Sequence, residues 1–195
     1  MRQDGVFQIS KEGYLSVSED AISGDGKIVK VGGGTFTIEG VNGEFVGTFR
    51  QSSGTTIVPN NDYMFGANII ENSLLKVTMP DIGGNREIDY SVLLSTGGIL
   101  EHQSLVSNDL STTLTEKIEF VGDNARAIFK GNGSNGTWYV LEDKIHDSGA
   151  NNEVQFVDCY IDVDSDTYTG STTYKFTNAV IDIDFEDEEH SDYDI

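Results

Sequence analysis

Residues 173–185 read Thr-Tyr-Lys-Phe-Thr-Asn-Ala-Val-Ile-Asp-Ile-Asp-Phe, and their pattern decides the class of fold. In the second half of this stretch, Ile181 and Ile183 alternate with two aspartates. Successive side chains of a β-strand point to opposite faces of the sheet, so the alternation predicts a strand with one apolar face and one wet face. Residues 154–163 predict a second long strand, joined to the first through residues 164–170.

Similar period-2 patterns recur towards the N-terminus, separated by Gly/Asn-rich turns such as residues 32–34 and 131–136. No segment shows a convincing helical period, and no internal repeat of fixed length stands out. Together with the hairpin signal at Asn42-Gly43, this predicts an all-β protein. We expect an antiparallel β-sandwich or jelly-roll-like core with extended β arms and little or no helix. The other candidate strands include residues 27–31, 44–49, 74–79, 86–94, 99–106, 117–121, 126–130 and 137–141.

Polar segments divide the chain into three predicted parts. Residues 51–62 are turn-like, and residues 147–152 form a second loop. We therefore expect an N-terminal β-hairpin arm over 1–50, a β-sandwich module over 63–142, and C-terminal β-strands with an acidic tail over 150–195.

The charge balance limits the partners. The 195 residues include 33 acidic and 12 basic side chains, for a net charge of -21. Contact with a phosphate backbone needs Lys and Arg, and an anionic membrane surface repels such a chain, so neither is an expected partner. The single cysteine, Cys159, excludes an intrachain disulfide. With no signal peptide and no apolar run of membrane-spanning length, we expect a chain that is made in a cytoplasm and stays there, soluble or within a particle.

Motifs of catalysis are missing from the sequence. His102, His146 and His190 lie far apart in different contexts, and no nucleophile elbow, phosphate-binding loop or zinc-protease motif occurs. Glycosidases need only two carboxylates, so the acidic composition leaves that chemistry open. We expect a non-enzymatic protein with no cofactor.

An alternation of acidic residues at Asp162, Asp164 and Asp166 is the sharpest local signal. Oxygen-rich loops of this kind bind Ca²⁺. The match to an EF-hand loop fails, because its sixth position is Thr167 rather than Gly and its twelfth is Thr173 rather than Glu. The competing interpretation is an exposed strand end whose aspartates discourage edge pairing.

The end of the chain, residues 186–195, contains neither Lys nor Arg. Such a run is typical of a solvated tail. The functional alternative is an arm that docks on a basic patch of a neighbouring subunit, with Tyr193 and Ile195 as its apolar anchors.

The middle of the chain carries three motifs in order. Residues 75–80 (Leu-Lys-Val-Thr-Met-Pro) form an apolar strand ending at a proline, and residues 83–88 (Gly-Gly-Asn-Arg-Glu-Ile) supply a turn and a strand. Residues 127–130, followed by 136–141 (Gly-Thr-Trp-Tyr-Val-Leu), supply a closing hairpin. With these motifs, residues 63–142 resemble a module that recurs in structural proteins of tailed bacteriophages, among them fibres and capsid decorations.

The resemblance implies a virion structural protein: a head decoration or head fibre, a collar, or a tail-fibre subunit. Its expected partners are other virion proteins and further copies in a homotrimer or ring, and its expected location is the virion, assembled in the bacterial host cytoplasm. Trp138 and Val140 share one strand face while Tyr139 lies on the other. We expect these residues and Phe129 to form the core of the module or a subunit interface.

Two further functions compete with this one. A carbohydrate-binding, receptor-recognition module would use exposed aromatic side chains, for which Tyr63, Phe65 and Tyr168 are the candidates, with the Asp cluster holding Ca²⁺. A tail-tube or head-completion protein would use its acidity to line a lumen through which DNA slides without sticking.

Overall fold

The architecture comes from a computed structural model. It describes residues 5–42, 44–106, 111–132, 137–140, 144–164 and 172–184. These residues form twenty β-strands and one short 3₁₀ helix, Asn61–Tyr63. The strands are β1 Gly5–Gln8, β2 Tyr14–Val17, β3 Lys27–Val31, β4 Thr35–Ile38, β5 Thr48–Gln51, β6 Thr55–Val58, β7 Ala67–Ile70, β8 Leu74–Met79, β9 Arg86–Ile88, β10 Ser91–Leu94, β11 Ile99–Ser104, β12 Ser111–Leu114, β13 Ile118–Phe120, β14 Arg126–Lys130, β15 Thr137–Val140, β16 Ile145–Asp147, β17 Glu153–Val157, β18 Tyr160–Asp164, β19 Thr173–Thr177 and β20 Val180–Asp184.

All strand pairs in the described residues are parallel, and the three sheets they build form a β-solenoid. Sheet 1 runs β1-β3-β5-β7-β10-β13-β16, sheet 2 runs β2-β4-β6-β8-β11-β14-β17-β19, and sheet 3 runs β9-β12-β15-β18-β20. The all-β prediction with little helix is confirmed, but the antiparallel sandwich or jelly roll is wrong. Period-2 alternation identifies a strand and its buried face, whereas it carries no information about which strand pairs with it.

The coils change in cross-section along the chain. The first three coils contribute strands to sheets 1 and 2 alone, and an isolated parallel bridge between Gly24 and Phe45 supports their irregular third side. From β7 onwards each coil also contributes to sheet 3. The 3₁₀ helix lies at this transition, where Asn61 Nδ2 donates to the carbonyl of Glu87 in β9 over 3.3 Å. This hydrogen bond lies at the outer edge of β9, the first strand of sheet 3.

The coils also differ in length, which hides the repeat in the sequence. Thr48 pairs with Ala67 across a short coil, whereas Ile118 pairs with Ile145 across a longer one. A repeat of varying length leaves no fixed period to detect. The predicted strands 74–79 and 126–130 are confirmed as β8 and β14.

The two long predicted strands near the C-terminus are each two strands that belong to different sheets. Residues 154–163 bend at Asp158, with φ 53°, and residues 173–185 bend at Asn178, with φ 50°. Asp and Asn adopt this left-handed conformation more readily than most residues, so each supplies a solenoid corner. Sheet pairing also continues across the polar segment 51–62, since β5 pairs with β7 and β6 with β8.

Side chains fill the interior of the solenoid. In the first coils Phe36 stacks between Phe7 and Phe49, at centroid distances of 5.3 and 6.0 Å. In the later coils Phe156 stacks between Phe129 and Phe176, at 5.3 and 5.8 Å. Each fully buried large apolar side chain contributes roughly 1.5–3 kcal/mol, so these stacks are a main source of cohesion between coils.

One charged side chain, Lys30, is fully buried in this interior. Its Nζ donates to the carbonyls of Gly32 and Gly34, each at 2.7 Å, and of Ser53 at 2.6 Å. Three donated hydrogen bonds require the ammonium form, although burial lowers the pKa of Lys30. Gly54 makes room for this group, because a Cβ there would lie 2.2 Å from Nζ. The lysine thus joins two successive coils at their corner.

Candidate functional site

The last described coil leaves apolar side chains uncovered. Phe176 of β19 stacks on Phe156 with an interplanar angle of 7°, yet it is 38% exposed. Ile181 of β20 pairs in register with Ile161, which is fully buried, but is itself 37% exposed. Val180 is 51% exposed. Its side chain lies on the opposite face of β20 from that of Ile181, since successive side chains of a strand alternate. We call Phe176 and Ile181 the terminal apolar patch.

The strand edges beside this patch can receive another chain. Within the described part of the chain, β19 and β20 are the last strands of sheets 2 and 3. An edge strand offers N–H and C=O groups for pairing with an added strand. The register of β18 and β20 also brings Asp162 beside Asp182 and Asp164 beside Asp184.

A line of charges runs along the outer face of sheet 2. Glu101 lies between Lys76, at 3.4 Å, and Lys130, at 3.0 Å. Burial alone would raise the pKa of Glu101, but its hydrogen bonds to the two ammonium groups and their charges outweigh burial and lower it. The carboxylate is therefore held in its charged form.

The same arrangement recurs in the next coils. Glu153 is paired with Arg126 at 3.2 Å and with Lys175. Burial again acts to raise the pKa of Glu153, and hydrogen bonds from Lys175 and Gln155 with the charges of Lys175 and Arg126 lower it. Each arrangement, with two cations around one carboxylate, has a net charge of +1.

A polar depression of about 410 Å³ lies at the start of sheet 3. Arg86 crosses it, and its guanidinium donates to Asp62 at 2.6 Å and to Asn61 at 3.2 Å. With Arg86 paired in this way, carboxylate, amide and hydroxyl groups remain to meet a ligand. The lining residues are Asp62, Asn85, Arg86, Glu87, Asp89, Ser111 and Thr113.

The buried rings of the later coils form a separate polar cluster. His102 meets Trp138 and Tyr90 edge to face, at centroid distances of 5.3 and 6.2 Å. Both imidazole nitrogens, Trp138 Nε1 and the Tyr90 hydroxyl have no hydrogen-bond partner within the described residues. Burial lowers the pKa of His102 to about 3 and, with the charge of Asp89, raises that of Tyr90. A fully buried, neutral imidazole cannot reach a substrate, so His102 is part of the packing.

Two of the residues predicted for the core or interface, Phe129 and Trp138, contact each other. Phe129 and Trp138 are buried and contact each other at 5.1 Å. They do not belong to the predicted closing hairpin, because β14 lies in sheet 2 and β15 in sheet 3. Tyr139 and Val140 lie in β15, and their side chains are outside the described part.

The predicted Ca²⁺ residues lie at the C-terminal end. Asp162 is half-buried in β18 and Asp164 ends that strand, while Asp166 falls outside the described residues. No group of three or more His, Cys, Asp or Glu side chains in the described ranges is arranged to hold a metal ion.

The predicted glycan-binding aromatics do not form one surface. Phe65 is buried against Phe45 and Phe49, at 4.9 and 5.5 Å, so it cannot contact a ligand. Its position in the sequence suggested an exposed loop, whereas it fills the aromatic stack of the solenoid. Tyr63 is half-buried in the 3₁₀ helix, and Tyr168 lies outside the described part.

Sequence reasoning missed the charged line on sheet 2 and the polar depression, because both depend on the parallel register. Within the described residues, no helix has both the length and the apolar composition needed to cross a membrane. No protein-family model, curated protein or solved structure matches this chain.

Proposed function

We propose that this chain is a non-enzymatic structural protein that acts by assembling with other subunits, in the setting of a tailed-bacteriophage virion. The observation that carries the assembly function is the terminal apolar patch beside two strand edges. The virion setting is supported by the order of the sequence motifs alone.

The packing of the interior supports a structural role. Aromatic and aliphatic side chains occupy the inside of every described coil, and the buried polar side chains are held within the packing. Substrate pockets are usually concave and largely apolar with a few converging polar groups, and the depression at the start of sheet 3 is polar and open. A packed rod of this kind offers its faces and ends to partners.

Burial of the terminal apolar patch would stabilise a contact of modest size. Its two side chains, Phe176 and Ile181, are 38% and 37% exposed. Completing their burial would contribute about 1 kcal/mol per side chain, and pairing along the strand edges would add hydrogen bonds and orientation.

Incorporation into particles tests this function. Virions are purified from hosts that express either the wild-type chain or Phe176→Ser, and the amount of chain in each particle is measured. We expect wild-type incorporation and a loss of at least threefold for the variant. The matched control is Val46→Ser, because Val46 is 77% exposed and lies in the first coils. Absence of the wild-type chain from particles, or equal incorporation of a folded Phe176→Ser, would refute the proposal.

The polar depression favours one alternative, a carbohydrate-binding module. Its carboxylate, amide and hydroxyl groups suit the hydroxyl groups of a sugar. Under this alternative a glycan array gives a saccharide signal that Asp89→Asn with Thr113→Ala abolishes. A silent array, or a signal unchanged in that double variant, removes the alternative.

A further inference from the structure

The outer face of sheet 1 carries two rows of side chains that run along the solenoid axis. The Ile69 row consists of Arg50, Ile69, Leu93 and Glu119, which pair in register on β5, β7, β10 and β13. The Ala67 row lies two residues earlier in the chain at each strand and consists of Thr48, Ala67, Ser91 and Lys117. Residues two apart in a strand point to the same side, so both rows face away from the interior. We call these two rows together the stepped face.

The stepped face contains a depression, because the side chains at the middle of its two rows differ in size. The depression has a volume of about 220 Å³ and is lined by Ala67 and Ser91 of one row and by Ile69 and Leu93 of the other. The Ser91 hydroxyl donates to the carbonyl of Gly66 at 3.1 Å, so an apolar group can cover it without leaving it unpaired. The face thus places a hollow beside two half-buried aliphatic side chains.

The charges of the stepped face are paired on one strand and unpaired on another. The guanidinium of Arg50 forms an ion pair with Glu71 at 2.7 Å. Lys117 and Glu119 are both exposed, and neither has an ion-pair partner within the described residues. Lys117 belongs to the Ala67 row and Glu119 to the Ile69 row. A partner that presents the same two rows in exchanged positions would therefore bring opposite charges together.

A two-fold axis parallel to the solenoid axis, placed between the two rows, makes this exchange. It puts the Ile69 row of one copy opposite the Ala67 row of the other, so that Ile69 and Leu93 enter the other copy's depression. Lys117 of each copy then lies opposite Glu119 of the other. We propose that the stepped face binds the stepped face of a second copy, in an isologous dimer with its two solenoids side by side and pointing the same way. The inference rests on the proposed assembly function and names one partner for it.

A two-fold axis parallel to the strands, centred between β7 and β10, fits the face less well. It would place Ile69 opposite Leu93 and leave the two depressions facing each other. It would also bring Lys27, which is in register with Thr48, opposite Lys144, which directly precedes β16. Like charges at opposite positions are unfavourable. Side-by-side solenoids that point the same way avoid both the empty space and this repulsion.

The size of the face sets the strength of the contact. Sheet 1 contains seven strands in the described residues, and at about 4.8 Å per step and roughly 13 Å per strand the face covers roughly 400 Å². Two such faces bury roughly 800 Å² in total, which is in the range of weak, transient interfaces. We therefore expect a dimer that forms at high protein concentration and dissociates on dilution.

Sedimentation equilibrium of the full chain tests the proposal. Near 0.15 M salt, where a Debye length of about 8 Å limits the repulsion between copies of charge -21, we expect a monomer of 21.3 kDa at about 5 µM and a dimer at about 500 µM. Lys117→Glu and Glu119→Lys each place like charges opposite one another and should weaken the dimer by at least about tenfold. Lys11→Glu and Glu12→Lys, which make the same charge changes in the exposed turn after β1, should behave like wild type. Circular dichroism confirms that each variant is folded.

The double exchange, Lys117→Glu together with Glu119→Lys, is the decisive variant. It restores opposite charges across the proposed axis at an unchanged net charge, so the dimer should regain its wild-type strength. Ala67→Leu, on the outer side of β7, fills the depression and should weaken the dimer.

Four outcomes would overturn the proposal: a wild type that stays monomeric at about 500 µM, a wild type that forms trimers, a double exchange that stays weak, or a folded Glu119→Lys that associates like wild type. Phe176 lies on β19 in sheet 2, outside the stepped face, so the two proposals fail separately. Monomeric wild type that still enters particles through Phe176 removes the stepped-face dimer alone. Dimerisation of a chain that is absent from particles removes the virion function and leaves the dimer.

Discussion

The coils before residue 59 and those after residue 66 hold their largest buried polar side chains differently. In the first region Lys30 donates to three backbone carbonyls within 2.7 Å, and two of them belong to its own coil. In the second region His102, between Tyr90 and Trp138, makes ring contacts and no hydrogen bond within the described residues. The first region thus joins its coils through the backbone, whereas the second depends on the packing of rings. The cost of disturbing each region should follow this difference.

The largest expected effect is on the ring cluster. Trp138→Ala removes a fully buried indole from contact with Phe129 and His102, and should lower the free energy of unfolding by about 4 kcal/mol. Urea unfolding followed by circular dichroism measures it, with Val46→Ala as an exposed control. A loss below about 1 kcal/mol would show that the rings are loosely packed.

Removal of the buried ammonium comes next. Lys30→Met keeps the length of the side chain but leaves three carbonyls without their donor, and should cost about 3 kcal/mol in the same assay. Lys117→Met, at an exposed lysine, is the matched control. Equal stability of the two variants would mean that the burial cost of Lys30 offsets its hydrogen bonds.

A third effect is a dependence on pH. The folded pKa of His102 is about 3 against an ordinary 6.5, so the unfolded chain binds the extra proton between these values. The contribution of His102 to stability is therefore complete well above pH 6.5 and falls as the pH drops, by about 2 kcal/mol between pH 8 and pH 5. His102→Phe should flatten this slope in urea titrations.

Between pH 5 and pH 8 the effect of His102 is separated from those of Glu101 and Glu153. Their pKa values lie below the ordinary 4.5, so their contribution is present above that value and is lost only at lower pH. An unchanged slope in His102→Phe would assign the loss to other groups.

The smallest effect concerns the surface charges. Glu101→Gln leaves Lys76 and Lys130 without the carboxylate between them and should cost about 0.5–1 kcal/mol, because both cations are partly exposed. Repeating the urea titration at about 1 M salt should reduce the difference to near zero. A salt-independent difference would indicate a packing role for Glu101.

Local structure was predictable where it depends on one strand. The alternation at 74–79 and 126–130 predicted β8 and β14 correctly, since a strand with one buried face must alternate. Pairing was not predictable from alternation, because the partner of each strand lies in the next coil and the coils vary in length. Residues 173–185 illustrate the limit: the pattern is that of a strand, and the corner at Asn178 is marked only by the residue type.

The candidate site shows the same division. Phe129 and Trp138 were expected together and do make contact, although across two sheets rather than within a hairpin. The recurrence of phenylalanine at Phe129, Phe156 and Phe176 was a usable signal of stacked coils, since parallel registry aligns like residues. Glu101 meets Lys76 and Lys130 only in that registry, so no single segment of sequence contains the cluster.

Because the coils stack in parallel, the number of coils sets the length of the solenoid. Sheet 2 contains eight strands in the described residues, which at about 4.8 Å per step gives a length of roughly 34 Å. Insertion or deletion of one coil would change that length by a single step and leave the cross-section unchanged. Short and long coils each advance the sheet by one strand, as the pairs of Thr48 with Ala67 and of Ile118 with Ile145 illustrate. The length of the solenoid can therefore change by one coil at a time while the residues at its two ends stay the same.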